Sequence, residues 1–186
     1  MKYPSPPVAA ALLGCALSLP ALGHEEDHAH GTAADVQARL NGFQEVPSVS
    51  TFARATFNAD VDRGAKLITW QLRYDALEGE VQQAHLHFAQ RGVNGGIVVF
   101  LCSNLDNGPA GTPLCPGPHS GMLSGSITPN DVSPDIAATQ PAITQGIAPG
   151  QFNEMVRALN AGALYVNVHS TRWPTGEVRA QLQPGR

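Results

Sequence analysis

The chain of 186 residues is long enough for one domain with its own core. Its formal net charge of -4, with only 14% charged residues, excludes a nucleic-acid surface built on excess Lys and Arg. A content of 19 Gly and 15 Pro argues against a helical bundle and for short strands joined by turns.

Residues 1–23 read as a secretory signal peptide. Lys2 supplies the positive start, 8–19 is an apolar run too short to span a bilayer, and Ala21 and Gly23 put small residues at -3 and -1. Cleavage there leaves an exported chain, periplasmic or secreted, without a transmembrane segment. A lipoprotein anchored through Cys15 in Leu12-Leu13-Gly14-Cys15 is the alternative, against which stand Leu13 and the short apolar run before the cysteine. Residues 24–35 form a His- and acid-rich flexible tail in which His24, His28 and His30 offer a secondary capture site for a transition metal. The plain reading of the same tail is a polar spacer.

From residue 36 to 184 the pattern is β. Eight segments carry it in order: "VQARLNGFQEV", "FARATFNADV", "AKLITWQLRYDAL", "QQAHLHFA", "GGIVVFLC", "GMLSGSIT", "ALYVNVHS" and "GEVRAQL". Turn residues separate them, so the expected fold is an antiparallel β-sandwich of about eight strands, immunoglobulin-like or superoxide-dismutase-like. One short helix is expected near 150–161, where Phe152, Val156 and Leu159 recur at helical spacing and Gly162 closes the last turn. Trp70 is placed in the core and Trp173 over the last hairpin.

Once Cys15 is removed, Cys102 and Cys115 remain as an even pair. In an oxidising compartment they read as a disulfide closing "CSNLDNGPAGTPLC", with two free thiols as the plain alternative. Their spacing is not C-x-x-C, which argues against a cysteine zinc site. "GVNGG" lacks the strand-to-helix setting of a phosphate loop, and no Ser or Cys is paired with a base in a nucleophile motif.

Alternation along the strands sorts the histidines. In "AHLHFA" the apolar Ala84, Leu86 and Phe88 share one face, so His85 and His87 share the other, turned away from the core. By the same rule Tyr165, Asn167 and His169 oppose Val166 and Val168, and Glu177, Arg179 and Gln181 oppose Val178, Ala180 and Leu182. The link "TRWPTG" is short enough for an antiparallel hairpin. Histidines at i and i+2 lie about 6.5 to 7 Å apart at Cα, close enough for both rings to meet one ion, and His169 would supply a third ring. The bland alternative is a pair of solvated side chains.

"LNGFQEVPSV", "AHLHFAQRGVNGGIVVFL" and "YVNVHSTRWPTGEVRAQL" together resemble the CHRD domain, found as repeats in chordin and singly in bacterial exported proteins. The resemblance covers residues 36–184 and implies an extracytoplasmic β-sandwich, without implying an agreed activity. A looser resemblance is to copper-zinc superoxide dismutases. The order His85-Leu86-His87, Gly117-Pro118-His119, His169 and Arg179 follows their metal-site pattern. Both cysteines here lie in one loop, however, and the additional His and Asp ligands for a separate zinc ion are missing.

The resulting expectation is an exported protein that binds a transition metal through His85, His87, His169 and the loop residue His119, with copper as the metal and zinc as the alternative. Arg179 is expected near an open coordination position as an anion guide for redox chemistry of the superoxide dismutase type, or else as an ion-pair partner of Glu177. Tyr165 and Asn167 are expected to line the site. Metal affinity should fall below about pH 6.5, where free histidine protonates. The competing expectation is an extracellular protein-binding or adhesive module with incidental histidines and a protein partner.

Overall fold

The computed structural model describes residues 1–2 and 34–185. Apart from its first two residues, the proposed signal peptide with Cys15 lies outside the described residues, as do His24, His28 and His30. All eight expected strands are present: β1 (Ala34–Asn41), β2 (Arg54–Asp62), β3 (Leu67–Asp75), β4 (Val81–Phe88), β5 (Gly96–Ser103), β6 (Gly121–Ile127), β7 (Leu164–Ser170) and β8 (Val178–Gln181). Ala34 and Asp35, assigned to the tail from composition, already pair with β2 as the start of β1. The expected helix is α2 (Phe152–Asn160), and a five-residue helix, α1 (Gln140–Thr144), precedes it.

The strands form one antiparallel sheet in the order β5-β4-β7-β8-β1-β2-β3-β6. It is nearly barrel-like, because its two end strands approach each other. Val99, Phe100 and Leu101 of β5 line a common cavity with Ser124, Gly125 and Ser126 of β6, and residues 109–113 fill part of the seam. Joining of the two halves is thin, since β8 and β1 pair only through Arg179 and Asn41, with one further bridge between Val36 and Pro184.

Inside the curl, Leu86, Val166, Val168, Val178 and Ala180 meet Phe57, Trp70 and Leu72 from the opposite wall. Phe57 and Trp70 stack with ring centroids 6.3 Å apart. Phe152, Met155, Val156 and Leu159 present the apolar face of α2 to this core, which explains their helical spacing. Burial of each large aliphatic side chain stabilises the fold by about 1.5–3 kcal/mol. The expected disulfide joins Cys102 at the end of β5 to Cys115. Asn104 knits the same loop to the sheet, donating to the carbonyls of Val81 and Cys115 and accepting from the Cys115 N–H.

Candidate metal centre

The polar face of β4, β7 and β8 does turn away from the apolar core, but it does not meet solvent. His85 is 0% exposed, His87 7%, His169 6%, Asn167 2% and Arg179 1%. Three loops cover it. Residues 42–53 bring Glu45 over the sheet, where its carboxylate lies against Gly176. Gly176 has φ +128°, and a Cβ there would overlap the Glu45 carboxylate, so both backbone angle and space demand glycine. Residues 89–95 are tied to that first loop by Asn94 Nδ2, which donates to the Val46 carbonyl at 3.0 Å. The β7–β8 turn closes the third side.

Pairing then sets which rings meet. His85 lies opposite Asn167, and His169 is opposite Gln83, so the two histidines are diagonal neighbours across β4 and β7. On its other edge β4 is irregular: pairing with β5 shifts register between Ala84 and His85 and again between Leu86 and His87. Such bulges re-aim side chains. Phe100 packs edge-on against His85 with ring centroids 4.5 Å apart.

The three histidines place their candidate ligand atoms within 4.8 Å of one another. His87 Nδ1 donates to the Gly95 carbonyl at 3.0 Å, and His169 Nδ1 donates to the Pro174 carbonyl at 2.9 Å. A ring nitrogen facing a backbone carbonyl must carry the proton, so in the neutral ring Nε2 of each is the unprotonated nitrogen. His85 Nδ1 lies 3.3 Å from His169 Nε2 and supplies the proton to that contact, which leaves its own Nε2 bare. The Nε2 atoms of His85 and His87 are buried and have no partner among the described residues. Unpartnered buried nitrogens are costly, and backing one ring nitrogen with a carbonyl is how proteins present the other to a metal. The residues therefore fit a transition metal by donor type, tautomer and convergence. The Asn167 side-chain amide stands 3.0 Å from His169 Nε2, beside the centre, and its NH2 is the group that can donate to an unprotonated Nε2.

Electrostatics reinforces this state. Burial holds the His85 pKa well below 6.5, with His169 and His87 adding to the effect. Burial likewise lowers His87 to about 3, and His169 to about 4. The expected loss of neutral imidazole near pH 6.5 is thus corrected: these rings stay neutral far into the acid range because a buried imidazolium is poorly solvated. Glu45 is pushed up to about 7 by burial, against the opposing pull of Arg179.

Two expected site residues are placed differently. His119 is exposed on its loop, with Nδ1 facing the Leu77 and Gly79 carbonyls at 2.9 and 3.1 Å, and it does not belong to the three-histidine group. Its neighbour Pro118 accepts from the Val81 N–H, which pins the loop to the start of β4, short of His85. Arg179 is not an open anion guide. It donates to the Val93 carbonyl at 2.8 Å and to Asn94 Oδ1 at 3.0 Å, and its guanidinium lies 3.4 Å from the centre of the Tyr165 ring. Tyr165 in turn stacks on His87 with centroids 4.6 Å apart and an interplanar angle of 1°. Nor does Glu177 pair with Arg179; its Oε1 accepts from Thr51 Oγ1 and from the Glu78 N–H. Glu45, Asn94, Gly95 and Pro174 are the residues that sequence reasoning missed. Gly95 and Pro174 act through backbone carbonyls, which leave no side-chain signal.

Residues 36–182, most of the chain, match the family model of the CHRD domain. Comparison with curated proteins finds no significant match, and comparison with solved structures finds none either. The span matched takes in all three loops and all three histidines of the centre, and the chain belongs to the CHRD domain family.

Proposed function

We propose that the protein is an exported module that binds a transition metal, copper in preference to zinc, through His85, His87 and His169. Family membership supports an extracellular or exported setting, and the signal-like residues 1–23 favour the periplasm or secretion. No helix among the described residues is long and apolar enough to cross a membrane. The observation that carries the reading is the set of three buried rings whose candidate ligand nitrogens lie within 4.8 Å of one another, with Nε2 of His85 and of His87 left without a partner among the described residues. Copper is preferred because imidazole donors bind Cu(II) above Zn(II) in the usual affinity order. Bound metal would supply Lewis acidity and, for copper, redox chemistry. The chain's own part is to hold the rings: Gly95 and Pro174 fix their tautomers, and Arg179 fixes the loop that contains Gly95. In this reading His24, His28 and His30 capture metal in a second, weaker way, and His119 is not a ligand.

The test is metal analysis of protein purified without a His tag, compared with the His85→Ala/His169→Ala double variant and with a deletion of residues 24–31. One equivalent of copper in the wild type and in the deletion, and none in the double variant, is the expected result. Retention by the double variant and loss by the deletion would make the tail the true site.

A second reading, binding of an extracellular protein partner, is favoured by one observation. Phe43 and Phe52, in the loop over the histidines, are 73% and 92% exposed. Exposed aromatics of this kind are enriched at protein interfaces. Pull-down from an exported fraction with wild-type protein and with Phe43→Ser/Phe52→Ser would reveal a partner that depends on them.

A further inference from the structure

Resting on the copper reading above, we infer that the centre is selective for the monovalent ion and binds Cu(I) more tightly than Cu(II) or Zn(II). Imidazole is a borderline donor that serves both oxidation states, so the charge of the surroundings decides between them. The cost of taking an ion out of water grows with the square of its charge, so a divalent ion incurs about four times the penalty of a monovalent one of equal size. Buried sites for divalent ions offset that cost with anionic ligands or with carboxylates behind the histidines.

This centre has neither. No carboxylate or thiolate joins the three rings among the described residues. Behind His87 and His169 stand the neutral carbonyls of Gly95 and Pro174. A fixed positive charge stands close by: Arg179 lies on Tyr165, which stacks on His87, and the hydrogen-bond acceptors of its guanidinium are the neutral Val93 carbonyl and Asn94 amide. Glu45 sits beside Gly176, Arg179 and Asn167 and is not a member of the three-ring group, and Glu177 Oε1 is engaged by Thr51 and Glu78. Three neutral donors, buried under loops with a guanidinium one ring away behind Tyr165, tolerate one added positive charge better than two.

Anaerobic titration of the full chain with Cu(I) against a chromophoric Cu(I) chelator, alongside Cu(II) and Zn(II) against chelators of known affinity, gives the three dissociation constants. Cu(I) should bind at least about a hundredfold more tightly than either divalent ion. For the copper couple this ratio appears as a reduction potential about 120 mV above that of the free ions. Arg179→Met should narrow the gap by strengthening Cu(II) binding, and Arg179→Lys, which keeps the charge, should preserve it. If Arg179→Met does not fold, the wild-type constants and potential decide alone. Equal or tighter binding of the divalent ions overturns the inference but leaves the metal centre standing, and an unchanged gap in folded Arg179→Met overturns its electrostatic basis. Cu(I) binding that survives His85→Ala/His169→Ala, or no binding by the wild type, overturns the centre as well.

Discussion

Two rows of polar side chains run across the sheet, and they have opposite fates. In one, Arg39, Thr56 and Arg73 lie in register across β1, β2 and β3, all exposed. In the other, His85, Asn167 and Arg179 lie in register across β4, β7 and β8, all buried. Both rows obey the same period of two and both turn away from the apolar core. The difference is the loops. Among the described residues nothing covers the first row, so β2 and β3 alternate between buried and exposed along their length, whereas β7 is buried at all seven positions. A polar row in water contributes solubility. A polar row under loops must find its partners there, and here carbonyls hold one nitrogen of His87 and of His169, while Nε2 of His85 and of His87 has no partner among the described residues.

The two arginines offer the largest test of this contrast. Arg179→Ala should cost about 3–5 kcal/mol in urea unfolding, because it strands the acceptors at Val93 and Asn94 and leaves Glu45 without its nearest cation. Arg73→Ala on the open row should change stability by no more than about 0.5 kcal/mol. Similar costs for the two would mean that the covered row is no more than a surface. Removal of the Cys102–Cys115 bridge comes next. Cys102→Ser/Cys115→Ser should cost about 3 kcal/mol on the chain-entropy model while leaving metal stoichiometry intact, since the bridged loop contributes no ring to the centre.

Acid titration sharpens the comparison from another side. The three ring pKa values are lowered in the fold, so below about pH 6.5 the unfolded chain takes up protons that the metal-free native state refuses. Stability of the metal-free protein should therefore fall as pH drops from about 6.5 towards about 4, by at most about 1.4 kcal/mol per pH unit for each ring. Glu45 acts in the opposite sense. Raised from 4.5 to about 7, it favours the folded state at low pH and loses that contribution as pH rises through about 7. Thermal or urea midpoints should accordingly peak between about pH 6 and 7. Midpoints flat from pH 4 to 7 would show that the rings are not buried as neutral imidazoles.

His119→Ala should have the smallest effect. Loss of its contact with the Leu77 and Gly79 carbonyls costs about 1 kcal/mol or less. Copper stoichiometry should not change. A variant that loses its metal would restore His119 to the ligand set and displace the three-ring centre.

Much was determined by the sequence alone. Period-two alternation located all eight strands and put His85, His87 and His169 on one type of face; an even cysteine pair, with export as the expectation, indicated the disulfide; three ordered motifs indicated the family. These signals are local, carried within a few residues by the geometry of an extended chain. What lies against each face is not local. Whether the histidine row meets water or loops depends on contacts such as Asn94 with Val46, Arg179 with Val93 and Glu45 with Gly176, each between segments far apart in the chain. Only the tertiary structure decided that the row is buried, that carbonyls of Gly95 and Pro174 choose its tautomers, that Arg179 clasps a loop instead of guiding anions, and that His119 stands apart. Alternation distinguishes two faces of a strand, but the dielectric on each face is set by long-range packing, and that dielectric is what keeps the imidazoles neutral.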